Sequence, residues 1–580
     1  MFSLFRGWAD ISLDERPGKI PTPEISRLCH MGKSIDSYYT QSTCTPSRAS
    51  LMTGRYATNT GLNFAMFPGA VNGLPDDMMT LPRLLRREKG YEAHAVGKWH
   101  LGNAQWKQTP VGKGFQTHVG SLLWSMEYRT KQIWEMPWAP MVVDWIRAHE
   151  NGSYAHYLEE QHTTEALTNE AIAVIKNHAS LENNRPLFLY LAYTAAHAPL
   201  VPIPEDEGSC VHLKHEWRRK FCGLVVGLDR GVGRVLDAAL SYLGDNTIIF
   251  FSSDNGGAPW FGGLNYPFRS GKTTPFEGGV HVPACVVDFS IDGRYLGRGP
   301  RTYKGLMHVS DLLPTFASAA GIDKTVIDSL KLDGHDQSDA IRKESDSPRK
   351  DVLLEMYYGS EGDFFNVKED VVAYRKGKWK LIKNTFMRDF HWYFEPENER
   401  LNNTDASLVT IVGESFIRFM EAFYAPGPFD TIRDLTVHMG IHNWFQLYSD
   451  VENVLLFDIS NDPQEKTNMA HQYPDIVADL EREILKIKDS RPQQQKFWMT
   501  IDRDKHWKST LEKGSCNSRI VREKDCLFAH PWIDDEVDLN TIELVHGGAI
   551  WPFIRNILAH FGPYMVGVAG IIFALFFMPK

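Results

Sequence analysis

A short helix signal stands at residues 44–54, whose sequence is Cys44-Thr45-Pro46-Ser47-Arg48-Ala49-Ser50-Leu51-Met52-Thr53-Gly54. Thr45 is a suitable N-cap, and Pro46 fits the first helical position. Gly54 is placed to end the element, because glycine readily adopts the left-handed conformation that commonly follows a helix. The pattern therefore predicts a helix that begins directly after Cys44.

Cys44 is thus expected at a helix N-terminus, where unpaired N–H groups and the helix dipole favour an anion. Arg48, one turn further, supplies a planar bidentate donor for a tetrahedral oxyanion. An isolated cysteine–proline segment is more commonly a buried structural cysteine beside a capped helix. From these residues alone, an anion site and a structural cysteine are both tenable.

The surrounding chain alternates helices with strands. Apolar patterns predict helices at 23–31, 81–89, 165–177 and 217–243, and strands at 91–96, 186–193 and 247–253. This alternation predicts an α/β fold with a mostly parallel sheet covered by helices. The chain has 580 residues, of which 43% are hydrophobic, so it exceeds an average domain and can bury a large core.

Polar side chains follow the ends of three predicted strands and occupy one loop beyond them: Lys98, His100, His197, Asp254, Asn255 and Lys272. Ligands of open parallel sheets bind beyond the carboxyl ends of the strands. Each of these residues alone is more commonly a loop or solvent-exposed side chain. Several at strand ends, in this order after Cys44, predict one shared site.

The pattern changes near residue 352. A hairpin at 373–382, a strand at 455–458 and a helix at 474–488 predict a smaller antiparallel sheet with one helix. We therefore expect a first domain at 1–351 and a C-terminal subdomain at 352–490.

Two further segments follow that subdomain. Residues 491–555 are charged and predicted to be loop-rich. Residues 556–579 carry no formally charged side chain. They are long enough to cross a hydrocarbon core of about 30 Å and predict a transmembrane helix. A hydrophobic core helix and a GPI signal are the alternatives.

The seven cysteines allow one modified residue plus disulfides. Cys210 with Cys222, and Cys516 with Cys526, are the predicted pairs, because each pair closes a short polar segment. Cys285 lies in an apolar strand pattern and is expected to be an inert strand cysteine.

The formal net charge of −10 gives no indication of a nucleic-acid partner. Glycosylation sequons at Asn151 and Asn402 are compatible with the secretory pathway. The first eight residues have no apolar h-region, so no signal peptide is predicted in this chain.

The motif C-x-P-S-R followed by x-x-x-x-T-G resembles the signature of the type I sulfatases. From residue 7 to 487 the order of motifs is closest to arylsulfatase B and its relatives. Shared strings include Gly97 to Gly102, Asp254 to Gly257, Glu277 to Val280 and Leu456 to Asp458. The resemblance implies an alkaline-phosphatase-like fold with a small C-terminal subdomain.

The resemblance also implies the chemistry. Cys44 would be oxidised to formylglycine by the formylglycine-generating enzyme, and its hydrated aldehyde would attack a sulfate ester substrate. Arg48 and Lys98 would stabilise developing charge. His100 would act as the base for the elimination of sulfate. His197 and Lys272 would bind sulfate, with His197 protonating the leaving oxygen.

One calcium ion would be bound by Asp254, Asn255 and modified Cys44, since calcium takes oxygen ligands. The family carries two further Asp ligands just before the Gly-Trp that aligns with Gly7-Trp8. Here those positions hold Ser3-Leu4-Phe5-Arg6. The sequence therefore predicts that the first strand and the Asp pair are missing, and Asp10 is too displaced to be assigned as a ligand.

Three functions compete. A calcium-dependent sulfuric ester hydrolase, lysosomal or at the cell surface, is the leading interpretation. An inactive sulfatase-like protein that binds sulfated glycans is the second, because little calcium affinity is expected without the Asp pair. A related phosphoesterase is disfavoured by Cys44 in its motif.

Overall fold

A computed structural model of the protein describes residues 2–3, 7–12, 20–66, 70–124, 126–133, 142–156, 159–181, 185–213, 216–357, 371–385, 454–489, 512–513 and 527–528.

The strands within these residues, in chain order, are β1 Phe2–Ser3, β2 Lys33–Ile35, β3 Tyr38–Tyr39, β4 Glu92–Gly97, β5 Thr117–Gly120, β6 Gln132–Ile133, β7 Val142–Val143, β8 Ile146–His149, β9 Tyr154–His156, β10 Leu187–Ala192, β11 Ile248–Ser253, β12 Ala284–Asp288, β13 Arg301–Tyr303, β14 Met307–His308, β15 Asp351–Tyr357, β16 Val371–Lys376, β17 Trp379–Lys383, β18 Val454–Asp458, β19 Glu512–Lys513 and β20 Leu527–Phe528.

The α-helices are α1 Pro23–His30, α2 Cys44–Thr53, α3 Ala57–Thr60, α4 Leu81–Lys89, α5 Thr163–Ser180, α6 Pro204–Gly208, α7 Glu216–Tyr242, α8 Glu277–Val280, α9 Leu312–Ala319, α10 Lys324–Ser329, α11 Ser338–Lys343 and α12 Pro474–Asp489. The long helices and strands predicted from apolar patterns are confirmed within a few residues of their predicted ends.

The main sheet has ten strands in the order β13-β2-β12-β11-β1-β10-β4-β5-β8-β9. Its centre, from β11 through β1, β10 and β4 to β5, is parallel. Antiparallel pairings flank the centre on both sides, at β11–β12 and β5–β8. The predicted α/β, alkaline-phosphatase-like class is confirmed, with a mixed sheet that is parallel where the site lies.

Helices cover both faces of this sheet. In β11 the adjacent residues Phe250 and Phe251 point into different hydrophobic clusters, one on each face. The cluster that contains Phe251 includes Leu228 of α7, and the cluster that contains Phe250 includes Met52 of α2. A strand buried on both faces needs a continuous apolar sequence, which explains the run at 248–251.

A second, four-stranded antiparallel sheet has the order β15-β16-β17-β18. Leu480 and Ile484 of α12 pack on it, in a cluster with Leu456 of β18. Tyr39 and Phe276 from the first part of the chain belong to the same cluster, so the two sheets share a packed boundary. The domain limits at 351 and 490 stay predictions.

The disulfides correct one prediction and confirm another. Cys210 and Cys222 form the predicted bond. Cys285, predicted to be inert, is bonded to Cys29 across a Cα–Cα distance of 5.5 Å. Cys29 lies on α1, which packs on β12 where Cys285 lies, and a strand pattern does not encode which helix covers it. The predicted pair Cys516–Cys526 lies outside the described residues.

One prediction also needs correction, and one segment contains strands that were not predicted. Phe2–Ser3 forms a strand between β10 and β11, so the position of a first strand in the sheet is filled. Within the segment predicted to be loop-rich, β19 and β20 pair with each other, and β20 also pairs with β7. Neither was predicted, because two-residue strands have no readable periodicity.

None of the helices in the described part of the chain is long and apolar enough to span a bilayer. The predicted transmembrane segment at 556–579 lies outside those residues and stays a prediction.

Candidate active site

Helix α2 begins two residues earlier than the sequence indicates. Cys44 is its first residue, and Thr43, not Thr45, takes the N-cap position. The Thr45 hydroxyl instead donates to the His100 carbonyl at 3.1 Å and accepts from the Met66 N–H at 3.1 Å. Thr45 therefore ties the helix to the end of β4. The predicted end at Gly54 is confirmed by its φ of 65°.

The turn before α2 is stabilised by Ser47. Its hydroxyl accepts from the Gln41 N–H at 3.0 Å and donates to the Gln41 carbonyl at 3.2 Å. This contact fixes the path from β3 into the helix and keeps Cys44 at its first turn.

Cys44 is buried, with 2% of its surface exposed, and the Lys272 ammonium donates to its Sγ at 3.3 Å. Burial by itself raises the pKa of the Cys44 thiol, but the charges of Lys272, Lys98 and Arg48 outweigh it and lower the pKa to about 6. The unmodified side chain therefore lies in a field that favours negative charge.

Arg48 is fully buried and joins three elements. Its Nη1 donates to the Lys98 carbonyl at 2.7 Å and to the Tyr190 hydroxyl at 3.0 Å. Its Nη2 lies 3.1 Å from Oδ2 of Asp254. The guanidinium thus holds the ends of β4 and β11 against α2, a planar fork geometry that lysine does not supply.

Several buried polar atoms at this edge of the sheet have no hydrogen-bond partner among the described residues, including Lys98 Nζ, His100 Nδ1, Asp254 Oδ1 and Asn255 Oδ1. Buried polar atoms are rarely left unsatisfied, so such a group calls for a ligand or ion that completes it. Two of the four named atoms are oxygens of the kind a hard cation prefers.

Burial lowers the pKa of Lys98 to about 8, with Arg48 and Lys272 adding repulsion. Burial also raises the pKa of Asp254 to about 6, reinforced by Cys44 and opposed by Arg48 and the two lysines. Asp254 is thus already paired with the Arg48 guanidinium before any metal ion binds.

The two histidines are oriented by backbone carbonyls. Nε2 of His100 lies 2.8 Å from the Met66 carbonyl, so it carries the proton and leaves Nδ1 as the basic atom. Nδ1 of His197 donates to the Ala198 carbonyl at 2.6 Å. Burial, with Lys98 adding repulsion, holds the pKa of both imidazoles well below the usual value, so both are neutral when no anion is bound.

Two residues at the site hold left-handed backbone conformations. His100 has φ of 61° and Thr273, next to Lys272, has φ of 69°. Hydrogen bonds hold both: the His100 N–H donates to the Leu122 carbonyl and the Thr273 N–H to the Ser42 carbonyl. Non-glycine residues in this conformation are uncommon, and these two place His100 and Lys272 at the site.

The predicted site residues therefore come together. Lys272, Lys98 and Arg48 act electrostatically on Cys44, and Lys98 and Lys272 act on His197. Three cations thus surround the buried Cys44 side chain, an arrangement that favours an anion beside it.

Sequence reasoning did not find Tyr190 or Glu355. The Tyr190 hydroxyl accepts a hydrogen bond from Arg48, but the apolar pattern of β10 predicts only that Tyr190 is buried. Glu355 lies in β15, more than 300 residues from its partner Ser42, and only the fold brings them together.

The geometry can be compared with known proteins. The family model Sulfatase matches residues 5–322. Arylsulfatase J of Mus musculus is 32% identical over 472 residues, which cover 80% of this chain and 71% of that protein. N-acetylgalactosamine-6-sulfatase of Canis lupus familiaris is 34% identical over 348 residues, which cover 56% of this chain and 63% of that protein.

Among solved structures, Ps i-CgsB in complex with k-i-k-neocarrahexaose is 26% identical, with a TM-score of 0.64. The match covers 86% of this chain and 94% of that chain. The specific relation to arylsulfatase B stays a prediction. The family model spans more than half of the 580 residues, and the chain belongs to the sulfatase family.

Proposed function

We propose that this protein hydrolyses sulfate esters and that Cys44, converted to formylglycine, is the nucleophile. The observation that carries the proposal is the position of Cys44: it is the first residue of a buried helix and faces Lys272 at 3.3 Å. A helix N-terminus and three cations favour the sulfate dianion and the charge that develops on its oxygens.

The chemistry divides among the neighbouring side chains. One hydroxyl of hydrated formylglycine passes its proton to the Asp254 carboxylate as its oxygen bonds to sulfur, the S–O bond to the alcohol breaks, and His197 delivers a proton to the leaving oxygen. His100 Nδ1 then accepts the proton of the second hydroxyl while the C–O bond to sulfate breaks. The aldehyde and free sulfate result. Lys98 and Lys272 bind the sulfate oxygens throughout.

His197 must carry a second proton to act as an acid, although burial lowers its pKa in the empty site. A bound sulfate ester, which carries one negative charge, raises that pKa by attraction. Arg48 is better described as a positioning residue, because its donors hold Lys98, Tyr190 and Asp254.

Calcium fits the site in donor type. Asp254 Oδ1 and Asn255 Oδ1 lack hydrogen-bond partners among the described residues and would bind the ion, with the modified Cys44 as a further oxygen ligand. When bound, calcium would polarise the sulfate oxygens. The set contains one carboxylate, and that carboxylate already pairs with Arg48.

The test uses protein made in a secretory pathway. Peptide mass spectrometry should show an aldehyde at Cys44, and the protein should release the alcohol from an aryl sulfate. Cys44→Ala should abolish turnover while its thermal unfolding midpoint stays near that of the parent protein. A thiol in every molecule, together with turnover that survives the substitution, would refute the proposal.

A second candidate function rests on the charge count. One carboxylate faces three cations, so calcium should bind weakly, and a protein without calcium would bind sulfated glycans without cleaving them. Assaying aryl sulfate hydrolysis over a calcium titration separates the two functions. Tight sulfate binding that requires the aldehyde, together with no turnover at saturating calcium, would favour the second function.

The substrates we propose are sulfated sugars. One relative is named N-acetylgalactosamine-6-sulfatase, and one structural neighbour was solved with k-i-k-neocarrahexaose. The disulfides Cys29–Cys285 and Cys210–Cys222 suit an oxidising compartment, so we place the protein in the secretory pathway or lysosome.

A further inference from the structure

A cavity of about 540 Å³ lies away from the Cys44 site. Its lining residues include Arg83, Arg86, Arg87 and Arg185, together with Met79 and Tyr91. The four charged residues of the lining are thus all arginines. Nothing in the proposed hydrolysis uses this cavity.

The cavity lies at the opposite edge of the main sheet from the site. Tyr91 precedes β4, whereas Lys98 follows it. At about 3.3 Å per residue, the length of β4 separates the two by roughly 20 Å. Because this distance runs along a central strand that is covered on both faces, the cavity and the Cys44 site are separate places on the protein.

Arg83 is held in place by the backbone. It donates to two backbone carbonyls, those of Asp76 at 2.9 Å and Gly112 at 2.6 Å, which orient the guanidinium. Pre-ordered guanidiniums bind tetrahedral oxyanions with less loss of conformational freedom.

Two of the other arginines have carboxylate partners. Arg86 pairs with Glu150 at 2.7 Å, and Arg87 pairs with Glu88 at 2.6 Å. Both pairs are partly exposed, and such surface pairs contribute little free energy, so an incoming anion competes for these guanidiniums at small cost.

The lining chemistry identifies the ligand class. Guanidiniums bind oxyanions through paired N–H donors, and the faces of Tyr91 and Met79 suit the C–H faces of a sugar ring. The volume is typical of a pocket for a small molecule or a few sugar units and is too small to enclose duplex DNA.

We propose that the cavity formed by Arg83, Arg86, Arg87, Arg185, Met79 and Tyr91 is a second binding site for sulfated oligosaccharides, separate from the Cys44 site. A sulfated oligosaccharide binds there independently of the Cys44 site. The inference goes beyond the proposed function and does not require that hydrolysis occurs.

The test is fluorescence anisotropy with a labelled heparin hexasaccharide, compared with its desulfated counterpart and a single-stranded DNA of equal charge. The parent protein should bind the sulfated probe more tightly than either control, with affinity falling as salt rises. Equal binding of the DNA, or of the desulfated sugar, would overturn the ligand class.

The decisive variant is Arg87→Ala/Arg185→Ala, which removes two exposed side chains of the cavity. It should weaken binding of the heparin hexasaccharide about tenfold or more, the loss of two charge-assisted contacts. The matched control is Arg301→Ala/Arg342→Ala, exposed arginines elsewhere with the same charge change, which should change affinity less than about twofold. Equal losses in the two variants would overturn the proposal.

Two further readouts separate this site from the active site. Lys272→Ala should leave the anisotropy titration unchanged, and a large loss there would mean that the probe binds beside Cys44. Arg87→Ala/Arg185→Ala should keep the kcat/KM of the parent protein on a small aryl sulfate. Absence of aryl sulfate turnover in the parent protein would refute the proposed hydrolysis without affecting the binding result.

Discussion

Glu355 is a buried carboxyl that faces the turn leading into α2. Its Oε1 accepts from the Ser42 hydroxyl at 3.4 Å, and Oε2 has no hydrogen-bond partner in the part of the chain that the structure describes. Burial raises the pKa of Glu355 to about 8, although Ser42 and Lys380 oppose the shift. The folded protein therefore holds a proton there that the unfolded chain releases near pH 4.5.

The pH dependence of stability follows from this shift. Because the pKa is raised on folding, the contribution of protonated Glu355 is fully present below about pH 4.5 and is lost as pH rises toward 8. The free energy of unfolding should fall by at most about 1.4 kcal/mol per pH unit in this window. Glu355→Gln should remove that part of the slope.

Urea unfolding of both proteins from pH 4.5 to pH 8 measures this difference. Glu170→Gln, at a partly exposed carboxylate that pairs with Arg147, is the control and should keep the parent slope. Parallel curves for the parent protein and Glu355→Gln would show that Glu355 is ionised in the folded state.

At the scale of elements, the ends of α2 and α4 have the same backbone geometry in different surroundings. Gly54 ends α2 with φ of 65°, and Gly90 ends α4 with φ of 67°. A Cβ added at Gly54 would lie 3.2 Å from Leu313 Cβ and 3.2 Å from Leu332 Cδ1. At Gly90, none of the described atoms lies within 4 Å of an added Cβ.

Gly90→Ala should therefore cost about 1 kcal/mol of stability, the strain of a left-handed alanine alone. Gly54→Ala carries the same strain plus the displacement of two leucines, so its loss should be larger, about 2 to 3 kcal/mol. Midpoints of chemical unfolding give both values. Equal losses would mean that the core beside α2 relaxes freely.

Because α2 begins with Cys44 and ends at Gly54, Gly54→Ala also tests whether a shift of that helix disturbs the site. A shift of α2 should lower aryl sulfate turnover in Gly54→Ala and leave it unchanged in Gly90→Ala.

At the scale of the whole molecule, the two disulfides close loops of very different length. Cys29 and Cys285 are separated by 256 positions, whereas Cys210 and Cys222 are separated by 12. The long loop contains α2 and every predicted site residue. Its closure therefore restricts the unfolded chain over most of the main sheet.

Cys29→Ala/Cys285→Ala should lower the free energy of unfolding by about 5 kcal/mol, against about 3 kcal/mol for Cys210→Ala/Cys222→Ala, if loop entropy governs both. Chemical unfolding without reductant measures the two losses. A larger loss from the short loop would show that local packing, not loop length, determines the contribution of each bond.

The sequence by itself determined the class of fold and the composition of the site. Apolar periodicity is local, so the helix at Glu216–Tyr242 and the buried strand at Ile248–Ser253 were predicted within a residue or two. Parallel strands bring their carboxyl ends to one edge, so Lys98, His197 and Asp254 were expected to meet there.

The tertiary structure alone decided which distant groups meet. It paired Cys285 with Cys29, turned Thr45 from an N-cap into a link to His100, and placed Glu355 beside Ser42. Each of these contacts depends on how an element is rotated and covered by another part of the chain. Periodicity gives the buried face of an element but not its partner, because partner choice is fixed by packing across the whole core.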